Sequence, residues 1–120
     1  MQRAIVLIVD DEPLIRMGAV EMIEAAGYAA IEAANADEAI AILEARRDIR
    51  VVFTDINMPG SMDGLKLARA VRDRWPPIHL IVTSGQVAPG ANDLPAGGRF
   101  LRKPYLASQI ADTLQSLLAA

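Results

Sequence analysis

Val51-Val52-Phe53-Thr54-Asp55-Ile56-Asn57-Met58-Pro59-Gly60 is the stretch on which the reading of this chain turns. Four apolar or β-favouring residues run straight into one aspartate, and a Pro-Gly turn follows. A run this short, bounded by a turn signal, reads as a buried strand rather than a helix. Asp55 then stands at the strand's C-terminal end, the edge at which open α/β sheets bind their ligands. A carboxylate there is either a loop cap or a working group, and the rest of the chain decides which.

Upstream, Ala4 to Val9 is another continuous apolar run. Its lack of alternation suits a strand covered on both faces, as in a parallel sheet. It ends in Asp10-Asp11-Glu12-Pro13, an acidic turn with proline placed for the first turn of a helix. Ile15, Ala19, Met22, Ile23 and Ala26 recur at helical spacing, and Gly27 is the expected C-cap. Tyr28 to Ala33 is a weaker strand. Asn35-Ala36-Asp37 opens a second helix with Ala36, Ala39, Ile40 and Leu43 on one face.

Downstream, Asp63-Gly64 leads into a third helix with Leu67, Ala68, Val71 and Trp75 inward, stopped by Pro76-Pro77. Ile78 to Thr83 is a fourth strand ending in Ser84-Gly85. Gln86 to Gly98 contains Pro89, Gly90, Pro95, Gly97 and Gly98, a composition that opposes helix. A short helix or an irregular crossover is expected there. Arg99 to Arg102 is a fifth strand, and the last helix carries Ile110, Leu114, Leu117 and Leu118 on one face. Strands alternating with helices imply right-handed βαβ units. The expected fold is α/β and flavodoxin-like: a (βα)5 doubly wound five-stranded parallel sheet in the order 2-1-3-4-5, with a short or irregular fourth helix.

Composition narrows the classes. The chain has 120 residues and no cysteine. One domain over residues 1–120 is expected, with no output domain and no disulfide or thiolate metal site. No apolar run approaches the roughly 18 residues of a membrane span, and the first strand ends too soon for a signal peptide. A cytoplasmic protein without membrane contact is expected. The net charge of −3, with basic residues scattered and no aromatic interleaving, gives no direct nucleic-acid footprint. His79, Trp75 and the methionines read as packing or surface groups, and Arg46-Arg47 as a solvated helix end.

The strand ends carry the chemistry. The first gives Asp10 and Asp11, the third Asp55, the fourth Thr83 and Ser84, the fifth Lys103. In the expected strand order these converge in one crevice at the switch point. Three carboxylates there repel unless a cation holds them ionised. An all-oxygen set without His or Cys suits a hard ion, and Mg²⁺ takes one or two carboxylates with waters and a phosphate oxygen. Lys103 adds a point charge for a phosphoryl oxygen and Thr83 a hydroxyl donor. Together they form a phosphoryl-transfer site in which an aspartate is the nucleophile. No residue looks like a catalytic base for an alcohol, so the phosphoryl group stops on the protein, at Asp55.

Val9-Asp10-Asp11-Glu12-Pro13, Thr54-Asp55-Ile56-Asn57-Met58-Pro59-Gly60 with Met62-Asp63-Gly64, Val82-Thr83-Ser84-Gly85 and Lys103-Pro104-Tyr105 occur in that order at successive strand ends. In these four motifs the chain resembles the response-regulator receiver domains of two-component signalling, over essentially its whole length. The resemblance implies that Asp55 is the phospho-acceptor, that Asp10 and Asp11 hold Mg²⁺, and that the Asn57 backbone carbonyl completes the protein ligands. It makes Thr83 the switch hydroxyl, Lys103 the phosphate's ion-pair partner and Phe100 the aromatic switch residue. It also implies a cis Lys103–Pro104 bond, a form that proline tolerates. The implied partners are a sensor histidine kinase or histidine phosphotransfer protein, docking on the first helix near Leu14, Ile15, Met17 and Gly18, and a downstream protein. A monomer or weak dimer is expected, acting as a switch rather than a turnover enzyme. Without an output domain it would serve as a diffusible adaptor, relay intermediate or phosphate sink.

Three departures stand out. The loop after Asp55 is one residue longer than the commonest family pattern. The segment between Thr83 and Lys103 is slightly short and opposes helix, which puts the usual output face and dimerisation mode in question. Ser84 stands where a smaller residue is common, beside the phosphate pocket. Two rival readings remain: a phosphorylation-independent receiver-like interaction module, and a small Mg²⁺-dependent phosphatase. The second usually needs an acid two residues after the nucleophile, where this chain has Asn57, and a substrate cap for which it has no spare residues.

Overall fold

The computed structural model describes residues 3–86, 88–90 and 93–119. In chain order the elements are β1 (Ile5–Val9), α1 (Pro13–Ala25), β2 (Ala29–Ala33), α2 (Ala36–Ala45), β3 (Ile49–Asp55), α3 (Gly64–Arg74), β4 (His79–Ser84), β5 (Arg99–Arg102) and α4 (Ala107–Leu118). All strand pairs are parallel and the sheet order is β2-β1-β3-β4-β5. The doubly wound, flavodoxin-like order read from the sequence is the one observed.

The unbroken apolar strands follow from burial on both faces. Successive strand side chains point to opposite sides. Leu7, Val9, Val52, Leu80 and Val82 pack with Ala39 and Leu43 of α2 and Leu67, Ala68 and Val71 of α3. Their neighbours Val6, Ile8, Val51, Phe53 and Ile81 pack on the other side with Ala19 and Ile23 of α1 and Ile110 and Leu114 of α4. Alternation is hidden because each face has its own core. The edge strand β5 is the shortest and has no fully buried residue. Trp75 is half-buried at the C-cap of α3.

Local signals set the helix ends. Pro13 occupies the first turn of α1, whose N-cap Glu12 makes no side-chain capping bond. Gly27 takes φ +100° just beyond that helix, a left-handed conformation glycine adopts at little cost. At α2 the Asn35 side chain accepts from the Glu38 N–H at 2.9 Å, and Glu38 accepts in return from the Ala34 N–H at 2.8 Å. Asp63 caps α3 by accepting from the Lys66 N–H at 2.9 Å. In α4 the Gln109 side chain accepts from the Leu106 N–H at 2.7 Å.

The expected irregular crossover is what connects β4 to β5. Among the described residues it contains no helix; Val87, Ala91 and Asn92 lie outside them. Five strands are thus accompanied by four helices rather than the five of a full (βα)5 set. Pro89, Pro95 and the glycines explain why: proline costs a helix interior roughly 3 kcal/mol and glycine about 1. The segment is held by arginines of α3. Arg72 donates to the Ala96 carbonyl at 3.0 Å and Arg69 to that of Asp93 at 3.3 Å.

Candidate functional site

Asp55 is the last residue of β3, Thr83 pairs with it in register on β4, and Asp10 and Lys103 directly follow β1 and β5. The sheet order sets these four strand ends side by side. Lys103 Nζ lies 3.2 Å from Asp10 Oδ2 and 3.2 Å from Asp55 Oδ2. Asp10 and Asp55 are almost closed to solvent, at 3% and 4% exposure. The predicted constellation of Asp10, Asp55, Thr83 and Lys103 is therefore one cluster, and the Lys103–Pro104 bond is cis as expected.

α3 starts directly on top of the end of β3. The Gly64 N–H donates to the Ile56 carbonyl at 2.9 Å. A Cβ on Gly64 would overlap the Asp55 carbonyl oxygen. That close approach explains why Asp63-Gly64 follows the acceptor loop. Gly60, in the same loop, takes φ +115°.

Burial is the largest influence on Asp55 and raises its pKa above the ordinary carboxylate value; Lys103 opposes this and Asp10 adds to it. Burial alone would lower the Lys103 pKa, yet the carboxylates of Asp55 and Asp10 raise it. Tyr105, whose ring packs 5.3 Å from that of Phe53, is pushed to about 12 by burial and then by Asp10 and Asp55. The crevice therefore carries negative charge that one lysine does not neutralise.

Carboxylate oxygens of Asp10, Asp11, Glu12 and Asp55 all lie within 4.8 Å of one another. Glu12 joins the group although the expected ligand set leaves it out. Its place depends on the turn after β1, where Asp10 Oδ1 accepts the Glu12 N–H at 2.9 Å. An all-oxygen, acidic and partly open cluster fits a hard divalent cation.

Asn57 donates through its backbone N–H to Asp55 Oδ1 at 3.3 Å. Its side-chain Nδ2 donates to Ser84 Oγ at 3.1 Å, and the Gln86 N–H donates to the same oxygen at 3.1 Å. Ser84 is thus an acceptor that ties the acceptor loop to the end of β4, a link that spans 27 residues and leaves no local sequence signal. Thr83 Oγ1 is buried and, among the described residues, has no hydrogen-bond partner. Phe100 is half-buried, opposite Val82 in register, and packs with the core on the α2–α3 face. An apolar groove of about 490 Å³ adjoins the cluster, between Ile15, Gly18 and Met22 of α1 and the Lys103-Pro104-Tyr105 turn. On the same helix Leu14 and Met17 stand exposed, at 82% and 55%.

A parallel α/β domain with an acidic, lysine-bridged crevice at its switch point defines a class of phosphoryl-accepting signalling domain. The family model "Response regulator receiver domain" matches residues 6–115, and the chain belongs to that family. The sensor kinase CckA of Brucella abortus is 39% identical over 119 residues, covering 96% of this chain and 12% of the kinase. This chain spans less than half the length of the curated relatives it matches. Among solved structures, a response regulator receiver protein from Sinorhizobium medicae superposes with a TM-score of 0.91 at 26% identity, covering 98% of this chain and 96% of that one. The chemotaxis response regulator CheY4 of Vibrio cholerae gives 0.85 at 30%, covering 98% and 100%. Domains of this family are signalling switches. Among the described residues, no helix is long and apolar enough to cross a membrane.

Proposed function

We propose that Asp55 accepts a phosphoryl group from a phosphohistidine donor and that the resulting aspartyl phosphate changes partner binding. The observation that carries this reading is the placement of Lys103 Nζ 3.2 Å from both Asp10 and Asp55 beside the unpartnered Thr83 hydroxyl. A carboxylate oxygen of Asp55 attacks phosphorus. The P–O bond forms as the P–N bond of the donor breaks, and the histidine nitrogen leaves with the electron pair. Lys103, already between the carboxylates, stabilises charge on the transferred oxygens. Thr83 Oγ1 is a donor in want of an acceptor, and a phosphoryl oxygen on Asp55 would supply one. Phe100, one position after the residue paired with Ile81 on β4, transmits the change to the sheet edge.

Asp10, Asp11 and Asp55, with the Asn57 backbone carbonyl, would hold Mg²⁺, which when bound neutralises charge between the carboxylates and the phosphoryl oxygens. The donor, a histidine kinase or histidine phosphotransfer protein, would dock on α1, which carries exposed Leu14 and Met17 and lines the apolar groove with Ile15, Gly18 and Met22. Phosphoramidate, which offers the same P–N bond, tests the donor chemistry. The chain should gain one phosphoryl mass in the presence of Mg²⁺ and none with chelator; equal gain by Asp55→Asn would refute the assignment.

A further inference from the structure

Charge is unevenly distributed along the strand axis, which the net value of −3 conceals. Asp10, Asp11, Glu12 and Asp55 gather at the C-terminal edge of the sheet. At the opposite edge Arg3, Arg46, Arg47, Arg50 and Arg99 precede or open strands, and α3 ends there with Arg72 and Arg74. His79, which opens β4 at this edge, is held below its ordinary pKa by burial and then by Arg50, Arg72 and Arg99.

A cavity of about 380 Å³ lies between the end of α2, the start of β3 and the end of α3. Ile49, Trp75, Pro77 and Ile78 give it apolar walls, and guanidinium groups surround them. Two of these are engaged within the chain. Arg46 grips Asp48 through two hydrogen bonds of 2.9 and 2.8 Å. Arg74 pairs with Glu44 at 2.8 Å and lies 4.3 Å from the Trp75 ring centroid. Arg47 and Arg50 are exposed, and among the described residues neither side chain makes a hydrogen bond or ion pair.

We propose that this cavity docks an acidic peptide segment bearing one aromatic side chain, with the ring against Trp75 and Pro77 and carboxylates on Arg47 and Arg50. The cavity has the size and apolar lining of a ligand site. Arg46 already holds a carboxylate in forked geometry, the pairing to which guanidinium is suited, and Arg74 holds a second through one bond. Asp48 and Glu44 stay beside the rim, so single carboxylates spaced along a chain fit better than one multiply charged phosphate. Exposed ion pairs contribute little each, so the buried ring supplies most of the affinity and the arginines the selection. The cavity opens at the edge remote from Asp55. A segment docked there leaves the phosphoryl-accepting crevice and α1 free, so the chain can be tethered while it exchanges phosphoryl groups.

The test is fluorescence anisotropy of a labelled synthetic peptide of glutamates around one phenylalanine, titrated with the full chain. Trp75, the single tryptophan, reports locally through its own emission. The expected result is saturable binding that weakens with salt, shifts Trp75 emission, and falls by about tenfold or more in the Arg47→Glu/Arg50→Glu double variant. Phosphoryl gain from acetyl phosphate should be unchanged in that variant, which shows that it is folded. Should the reversal disturb folding, Arg47→Gln/Arg50→Gln should give a smaller loss in the same direction. Absence of saturable binding, equal binding by a folded variant, or retention when serine replaces the peptide's phenylalanine would overturn the proposal. So would binding of inorganic polyphosphate in place of the peptide, which would make the cavity a phosphate site.

Discussion

The surroundings of Asp55 disfavour its charged form, and this has a measurable sign. Its pKa in the fold lies above the ordinary value of 3.8, with burial as the main cause. A raised carboxylate pKa contributes stability below the unfolded value and loses it as pH rises through the folded one. Asp55→Asn should therefore be more stable than wild type at pH 7, with the difference vanishing once both states are protonated at acid pH. Urea unfolding at several pH values checks this. Mg²⁺ should act against this difference. At ten times its dissociation constant it should stabilise wild type by about 1.4 kcal/mol, and Asp11→Asn much less. At this scale Asp10, Asp55, Thr83 and Lys103 were legible because each lies at or next to a strand end, so topology alone brings them together. Glu12 and the Asn57–Ser84 bond were not, because both depend on how a turn closes.

Single elements meet the site through close backbone approach. Gly64 opens α3 against the Asp55 carbonyl, so Gly64→Ala must move either the helix or the acceptor loop. A loss of about 1–3 kcal/mol is expected, with slower phosphoryl uptake. Asn35→Ala is the contrasting case. It removes the α2 cap, whose bond runs to the Glu38 N–H rather than to the loop after Asp55, and should cost about 1 kcal/mol with a smaller effect on uptake. Unfolding midpoints together with uptake rates separate the two. The strands most legible in the sequence were β1 and β3, whose apolar runs have helices on both faces. β2 was weaker because Ala29, Ala30 and Ala33 supply volume but little β preference. The irregular crossover was legible from its prolines and glycines, whereas its anchoring by Arg69 and Arg72 was not, since those arginines belong to another element.

The whole molecule is a sheet between two cores with its chemistry at one edge and most of its arginines at the other. Ile49 packs in one core and Ile110 in the other. Ile49→Val and Ile110→Val should each cost about 0.5–1.5 kcal/mol. Because the sheet separates them, the double variant should equal their sum to within about 0.5 kcal/mol. A larger coupling would show that the two cores respond as one. The central claim, however, concerns the acidic edge. Its most direct test is intact mass after incubation with acetyl phosphate, with and without Mg²⁺, on wild type and Asp55→Asn. The account predicts a gain of one phosphoryl mass that requires both the ion and Asp55. No gain by folded protein with Mg²⁺ present would contradict it and point instead to a receiver-like interaction module that works without phosphorylation.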